Sequence, residues 1–327
     1  MNGFAEAAGI FLASAATCLA VGPAAIRALA KAQCVAPVRY EDCPPLAAYQ
    51  QTKPATPTMG GLFVLGVGVL VAAAFGGFAS REGWLVLGTV AALAAVGLVD
   101  DGLKFRGPNA VGLRAVPKLL VALGIGAALG VASPPGARNI ELPWASRTVE
   151  LGGGWVLLAM VVVAGASHAV NLTDGMDGLA AGCAAAVLAA LGCWALTDGT
   201  PHEAMVPWCA SLAGACVGFL WFNSFPASIF MGDVGALGLG GALGAISLLT
   251  HKALWLLVIG GIFVAEAASV MLQVASYKWR NKRRIFRVAP IHHHFHLGGV
   301  SEPKLIVRFW IVGVLLALLG LTRTAQP

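Results

Sequence analysis

Charge is scarce in this chain. Only 11% of its 327 residues are Asp, Glu, Lys or Arg, and only 15 are acidic, whereas soluble domains carry about 25% charged residues. Beside a hydrophobic fraction of 58%, that shortage excludes an ordinary soluble enzyme. The seven cysteines, at 18, 34, 43, 183, 193, 209 and 216, form no CxxC pair, so neither a disulfide framework nor a zinc site is indicated. No Ser- or Pro-rich linker, internal repeat or low-complexity tail interrupts the pattern. The alternating strands of about ten residues that a membrane barrel needs are missing too.

What is present is a series of long apolar stretches: 4–26, 59–80, 84–99, 117–133, 154–170, 178–197, 205–222, 234–250, 253–277 and 305–322. Each approaches the roughly 20 residues a spanning helix needs. The expectation is an all-α, polytopic integral membrane protein of about ten transmembrane helices, forming one domain over 1–327. The first stretch lacks the basic start of a signal peptide and is too long for one, so it reads as a helix.

Ten spans define two sets of loops. Segments 27–58, 100–118, 171–177, 223–233 and 278–308 hold sixteen of the 21 Lys and Arg residues; the other loops and the termini hold five. Excess cations mark the cytoplasmic side. These loops, and an active site on them, are therefore expected in the cytoplasm, with both termini extracytoplasmic. A basic inner face suits anionic lipids and substrates, and nothing calls for nucleic acid.

The few acids are placed tellingly. Asp100 and Asp101 end the third stretch, Asp174 and Asp177 follow the fifth, and Asp233 precedes the eighth. A carboxylate at the bilayer centre costs roughly 2.5–3.5 kcal/mol even on a lenient scale, so these groups belong where water or a cation reaches them. An even number of spans separates the clusters, which puts all five on one face. Lys104, four residues after Asp100, shares its helical face if the helix continues. Asp174 and Asp177 are expected to stack in the first turn of the sixth helix, where capping alone would also favour them. Asp233 stands alone, which fits the habit of Mg²⁺ to take one or two carboxylates with waters and phosphates.

Polar neighbours complete the set. Lys53 to Gly61 contains two prolines and two glycines and opens the second helix with free N–H groups that suit an anion; Thr58 lies in it. Asn171, Asn223 and Phe230 flank the acids, Phe230 as a group that can stack on a base. His292, His293 and His294 follow the densest basic run; they suit either adventitious metal binding or phosphate contact and proton transfer near neutrality. Glu266 lies deep within a span, and pairing across the bundle is its expected role.

Together these segments resemble the bacterial phospho-N-acetylmuramoyl-pentapeptide transferases of the polyprenyl-phosphate N-acetylhexosamine-1-phosphate transferase superfamily. Thr56 to Gly61, Asp100 to Lys104, Asn171 to Ala180, Phe222 to Gly235 and Ala289 to Phe295 carry the resemblance. The Pro-Ile-His-His-His-Phe tract points to the muramoyl-pentapeptide branch. The chain departs from the pattern at Ser228, Ala236 and His296. The resemblance implies ten helices, a homodimer and a cytoplasmic Mg²⁺ site. The implied reaction moves phospho-MurNAc-pentapeptide from UDP-MurNAc-pentapeptide to undecaprenyl phosphate, releasing UMP and making lipid I. A related transferase using another UDP-hexosamine is the alternative.

Under that resemblance Asp233 is the Mg²⁺ ligand, and Asp100 and Asp101 serve the phosphates or the nucleophile. Lys104 and Lys118 hold phosphates, and His292, His293 and His294 take part in the reaction. Lys53, Thr58, Asn171, Asp174, Asp177, Asn223, Phe230 and Gln273 line the substrates. Asp100 is expected to take the lipid phosphate's proton in a direct displacement, with a covalent aspartyl route left open. A cation-coupled transporter fits less well, because its ionisable groups would lie near the midplane in repeated halves.

Overall fold

Each apolar stretch becomes helix in the computed structural model, which describes residues 2–35, 43, 48, 56–105, 112–145, 147–198 and 202–322. In chain order these are α1 (Asn2–Lys31), α2 (Gly61–Ala74), α3 (Arg81–Lys104), α4 (Ala115–Ala132), α5 (Gly154–Thr173), α6 (Leu179–Thr197), α7 (Val206–Asn223), α8 (Gly232–Leu249), α9 (Leu256–Ile259), α10 (Gly261–Trp279), α11 (Ile291–His296) and α12 (Glu302–Leu321). Among the described residues, eight helical segments are long and apolar enough to cross a membrane. The two remaining expected spans are occupied by α2, with 14 residues, and by the α9–α10 pair. The protein is all-α and multi-pass.

Two local expectations are corrected. The stretch 253–277 is two helices rather than one, broken at Gly260, where the backbone leaves helical geometry at φ −93° and ψ 18°. The helix expected over 59–80 ends at Ala74, and a turn follows before Ser80 accepts the Gly83 N–H and opens α3. Between α4 and α5 lies a hairpin unforeseen from sequence, β1 (Asn139–Leu142) antiparallel to β2 (Arg147–Glu150), with Ile140 opposite Val149.

Helix α8 is the axis of the bundle. All 18 of its residues are buried, as befits a helix apolar all round, and α3 and α5 pack along it. At Gly97 the backbones of α3 and α8 close up: a Cβ there would lie 2.3 Å from the Asp233 carbonyl oxygen. Outer helices behave oppositely. Val116, Leu120 and Val131 on α4 and Leu315 and Leu318 on α12 are exposed, the surface a hydrocarbon environment accepts.

The loops gather at two ends. At one end the Thr58 N–H bonds to Cys34 O and the Gly60 N–H to Phe230 O. The same end holds the contacts between Lys118 and Asp233 and between Asp177 and the loop after α7. At the other, Trp208 Nε1 donates to Gly77 O, Arg81 donates to Ala132 O, and the hairpin's Glu141 N–H bonds to His251 O.

Candidate active site

The C-terminal turn of α3 and the first turn of α8 meet at one end of the bundle, and their carboxylates converge. Asp100, Asp101 and Asp233 each offer an oxygen within 4.8 Å of the others, although all three are buried, at 0%, 1% and 4% exposure. Lys104 Nζ lies 2.5 Å from Asp100 Oδ2, 3.1 Å from Asp101 Oδ1 and 3.1 Å from Asp233 Oδ1. From the start of α4, Lys118 Nζ lies 3.2 Å from Asp100 Oδ1 and 2.8 Å from Asp233 Oδ2. The expected i,i+4 pairing of Asp100 with Lys104 is present because α3 stays helical through Lys104.

Backbone donors hold the carboxylates in place. The Leu113 N–H donates to Asp100 Oδ1 at 2.6 Å, and the Val234 N–H to Asp101 Oδ2 at 3.1 Å. The second contact crosses from α8 to α3 at the N-terminal end of α8, where orphan N–H groups favour anions. Gly232 is what lets α8 begin there: its φ is +75°, and a Cβ would fall 2.7 Å from Asp101 Oδ2. Neither Leu113 nor Val234 stood out in the sequence, since a backbone amide leaves no residue-type signal.

This set of donors suits a hard cation. It contains oxygen ligands only, with no thiol or imidazole, and one more carboxylate than it has ammonium groups, which is the chemistry of Mg²⁺ rather than zinc.

The other sequence-predicted residues fall into distinct places. Asp174 and Asp177 do not stack in the first turn of α6, which corrects the expectation. Asp174 ends α5, and α6 starts only at Leu179, after Gly178 at φ +76°. Asp177 is buried in a brace: its Oδ2 accepts the Ala227 N–H at 3.0 Å, and its own N–H donates to Glu302 Oε1 at 3.1 Å. Asp100, Asp101 and Asp233 thus form the cluster, while Asp177 is drawn into the scaffold. Asn223, also buried, donates from Nδ2 to Ile229 O at 2.8 Å. The Phe230 N–H bonds to Pro57 O, tying the loop after α7 to the entry of α2. Thr58 is buried beside Gly232, its Oγ1 3.0 Å from the position a Cβ would take there. Asn171 is half-buried in the last turn of α5.

Gln273 on α10 clasps the basic loop: its Oε1 accepts the Ile285 and Phe286 N–H groups at 3.0 Å each, and its Nε2 donates to Phe286 O. The histidines form the short helix α11. His294 Nδ1 accepts the Arg287 N–H at 3.1 Å, while His292 and His293 are buried. Lys53 lies outside the described residues.

Fold and centre together define a membrane-embedded helical enzyme with a carboxylate–lysine cluster at one end of the bundle. The profile of glycosyl transferase family 4 matches residues 83–251. Among curated relatives, the phospho-N-acetylmuramoyl-pentapeptide-transferase of Solidesulfovibrio magneticus is 43% identical over 294 residues, covering 85% of this chain and 82% of the relative. The protein of the same name from Citrifermentans bemidjiense is 44% identical over 288 residues, covering 83% and 80%. The chain belongs to glycosyl transferase family 4, among the phospho-N-acetylmuramoyl-pentapeptide transferases.

Proposed function

We propose that this protein transfers phospho-MurNAc-pentapeptide from its UDP carrier to undecaprenyl phosphate, giving lipid I and UMP in peptidoglycan synthesis. The name its relatives carry supports the donor, and a centre at the end of a membrane bundle suits a lipid acceptor. The observation that carries the reading is the joining of Asp100, Asp101 and Asp233 by two lysines.

The chemical problem is one anion attacking another. An undecaprenyl phosphate and a pyrophosphate repel each other unless cations bring them into line. Lys104 and Lys118 supply two ammonium groups that reach all three carboxylates between them and can turn to phosphate oxygens when substrate enters. Asp233, with Asp100 and Asp101 beside it, is the proposed seat of Mg²⁺. When bound, that ion would polarise the pyrophosphate and stabilise the departing UMP. Asp100 takes the remaining proton of the lipid phosphate, and its geometry is held by the Leu113 amide. The Asp174–Asp177 link, Asn223 and the loop through Phe230 form the donor side, braced by Asp177 and Asn223. His292, His293 and His294 border it.

The site is proposed to face the cytoplasm, as the sixteen-to-five cation bias supports, and the protein to act as a homodimer.

Purified enzyme offered UDP-MurNAc-pentapeptide or UDP-GlcNAc, with undecaprenyl phosphate, tests the reading by UMP release. The muramoyl donor should turn over and the simple hexosamine donor should not. Equal turnover of both would overturn the substrate assignment.

A further inference from the structure

Glu266 on α10 and His292 on α11 are both fully enclosed, at 0% exposure. Glu266 Oε2 lies 3.0 Å from His292 Nδ1, and the same oxygen receives the His292 N–H at 3.5 Å. One carboxylate oxygen thus meets both the ring and the backbone of a single residue. The His292 ring packs on that of His293, with centroids 4.1 Å apart. Neither Nδ1 nor Nε2 of His292 has a hydrogen-bond partner among the described residues, so the carboxylate lies beside Nδ1 rather than in line with an N–H. Gly175 leaves room for the ring: a Cβ there would come within 2.5 Å of His292 Nε2 and 3.5 Å of His293 Nε2. Both rings therefore form the floor on which the link between Asp174 and Asp177 lies, and glycine at 175 is what allows the contact.

A buried ion pair is a poor way to gain stability, because apolar groups of the same volume often serve as well or better. Orientation is what it provides. The contact sets the edge that the ring turns toward α10 and leaves Nε2 beside Gly175.

We propose that Glu266 is a positioning residue for the transfer. It holds the His292 ring in place, and through the tilted His292–His293 pair it holds the Asp174–Asp177 link in the shape that receives the UDP donor. This rests on the reading that the link belongs to the donor side of the centre. Nothing in the contact reaches the Asp100–Asp233 cluster directly, so the effect should be specific to one substrate.

The test compares full-length Glu266→Gln and Gly175→Ala with the parent enzyme. A glutamine keeps the size of the side chain but removes the charge that lies against Nδ1. Glu266→Gln should raise the KM for UDP-MurNAc-pentapeptide about tenfold, within what a misplaced positioning group costs, and leave the KM for undecaprenyl phosphate unchanged. Gly175→Ala pushes the ring from the opposite side and should give the same donor-selective rise with Glu266 intact. Histidine-selective ¹⁵N labelling reads the ring's surroundings without turnover. The resonance missing from His292→Asn should be shifted in Glu266→Gln relative to the parent.

An unchanged donor KM in folded Glu266→Gln overturns the proposal, as does a loss of kcat alone that merely tracks the folded fraction. Should Glu266→Gln fail to fold, Gly175→Ala carries the test, and an unchanged donor KM there overturns it equally. If the parent enzyme ignored the muramoyl donor while the ¹⁵N result held, the fault would lie in the substrate assignment and not in the Glu266–His292 pair.

Discussion

Asp100, Asp101 and Asp233 are separated by as many as 133 residues in sequence yet share two ammonium groups, and this sharing decides what each substitution should do. Asp233→Asn keeps the shape of the side chain and removes a charge from the centre. It should lower turnover on the order of a thousandfold or more with no loss of folded protein, measured by UMP release and thermal unfolding in detergent. Lys118→Gln removes the link between Asp100 and Asp233 and should cost about a hundredfold in kcat/KM. An effect below tenfold would take Lys118 out of the phosphate-holding role. At this scale the acids were legible in the sequence because charge is so rare here that each aspartate at a helix end stood out. The amides of Leu113 and Val234 were not, and neither was the choice of Glu266 as the partner of His292. These depend on which backbones pass close to which side chains, and residue type does not encode that.

Helix α3 meets α8 so closely at Gly97 that a side chain there would strike the Asp233 carbonyl. Gly97→Val should therefore separate the two helices that carry the carboxylates. The expected cost is about 1–3 kcal/mol of stability from overpacking, together with lost activity, and both appear in one preparation by unfolding and assay. Unchanged activity would mean that the two helix ends are not held in register by this contact. Elements were legible where apolar length alone sets them. The break at Gly260 was hidden inside a run of otherwise suitable residues. The Asp174–Asp177 pair was assigned to a helix because spacing of three suits one; Gly175 and Gly178 instead delay α6, and Asp177 turns to the Ala227 amide. Strands β1 and β2 have four residues each, too few for alternation to show against a hydrophobic background.

Viewed as a whole, the molecule separates a chemical end from a structural one. At the structural end Lys252, 1% exposed, pairs with Glu141 of the hairpin and lies 2.8 Å from Asp198 Oδ2. Glu141 also accepts from Trp255 Nε1 at 3.0 Å. Glu141→Gln should cost about 1–3 kcal/mol of stability and leave the substrate KM values unchanged. At the same end burial, and then the charge of Lys252, lower the pKa of His251 from its ordinary 6.5. In the window just below 6.5 the unfolded chain therefore binds a proton that the folded chain does not, so stability falls as the pH drops through it. Unfolding temperatures in detergent should decline from pH 7 toward pH 5, and His251→Gln should flatten that decline. The cation bias behind the proposed orientation was legible at this scale because it depends on counts rather than contacts. A phosphatase reporter fused after α12 should be active only on the extracytoplasmic side.

The central claim is that Asp100, Asp101 and Asp233 hold one divalent ion. Mn²⁺, which takes the same oxygen ligands as Mg²⁺, makes that visible by electron paramagnetic resonance of the purified protein. One bound Mn²⁺ per chain is predicted, displaced by Mg²⁺ and lost in Asp233→Asn. Binding that persists undiminished in Asp233→Asn, or none in the parent protein, would contradict it.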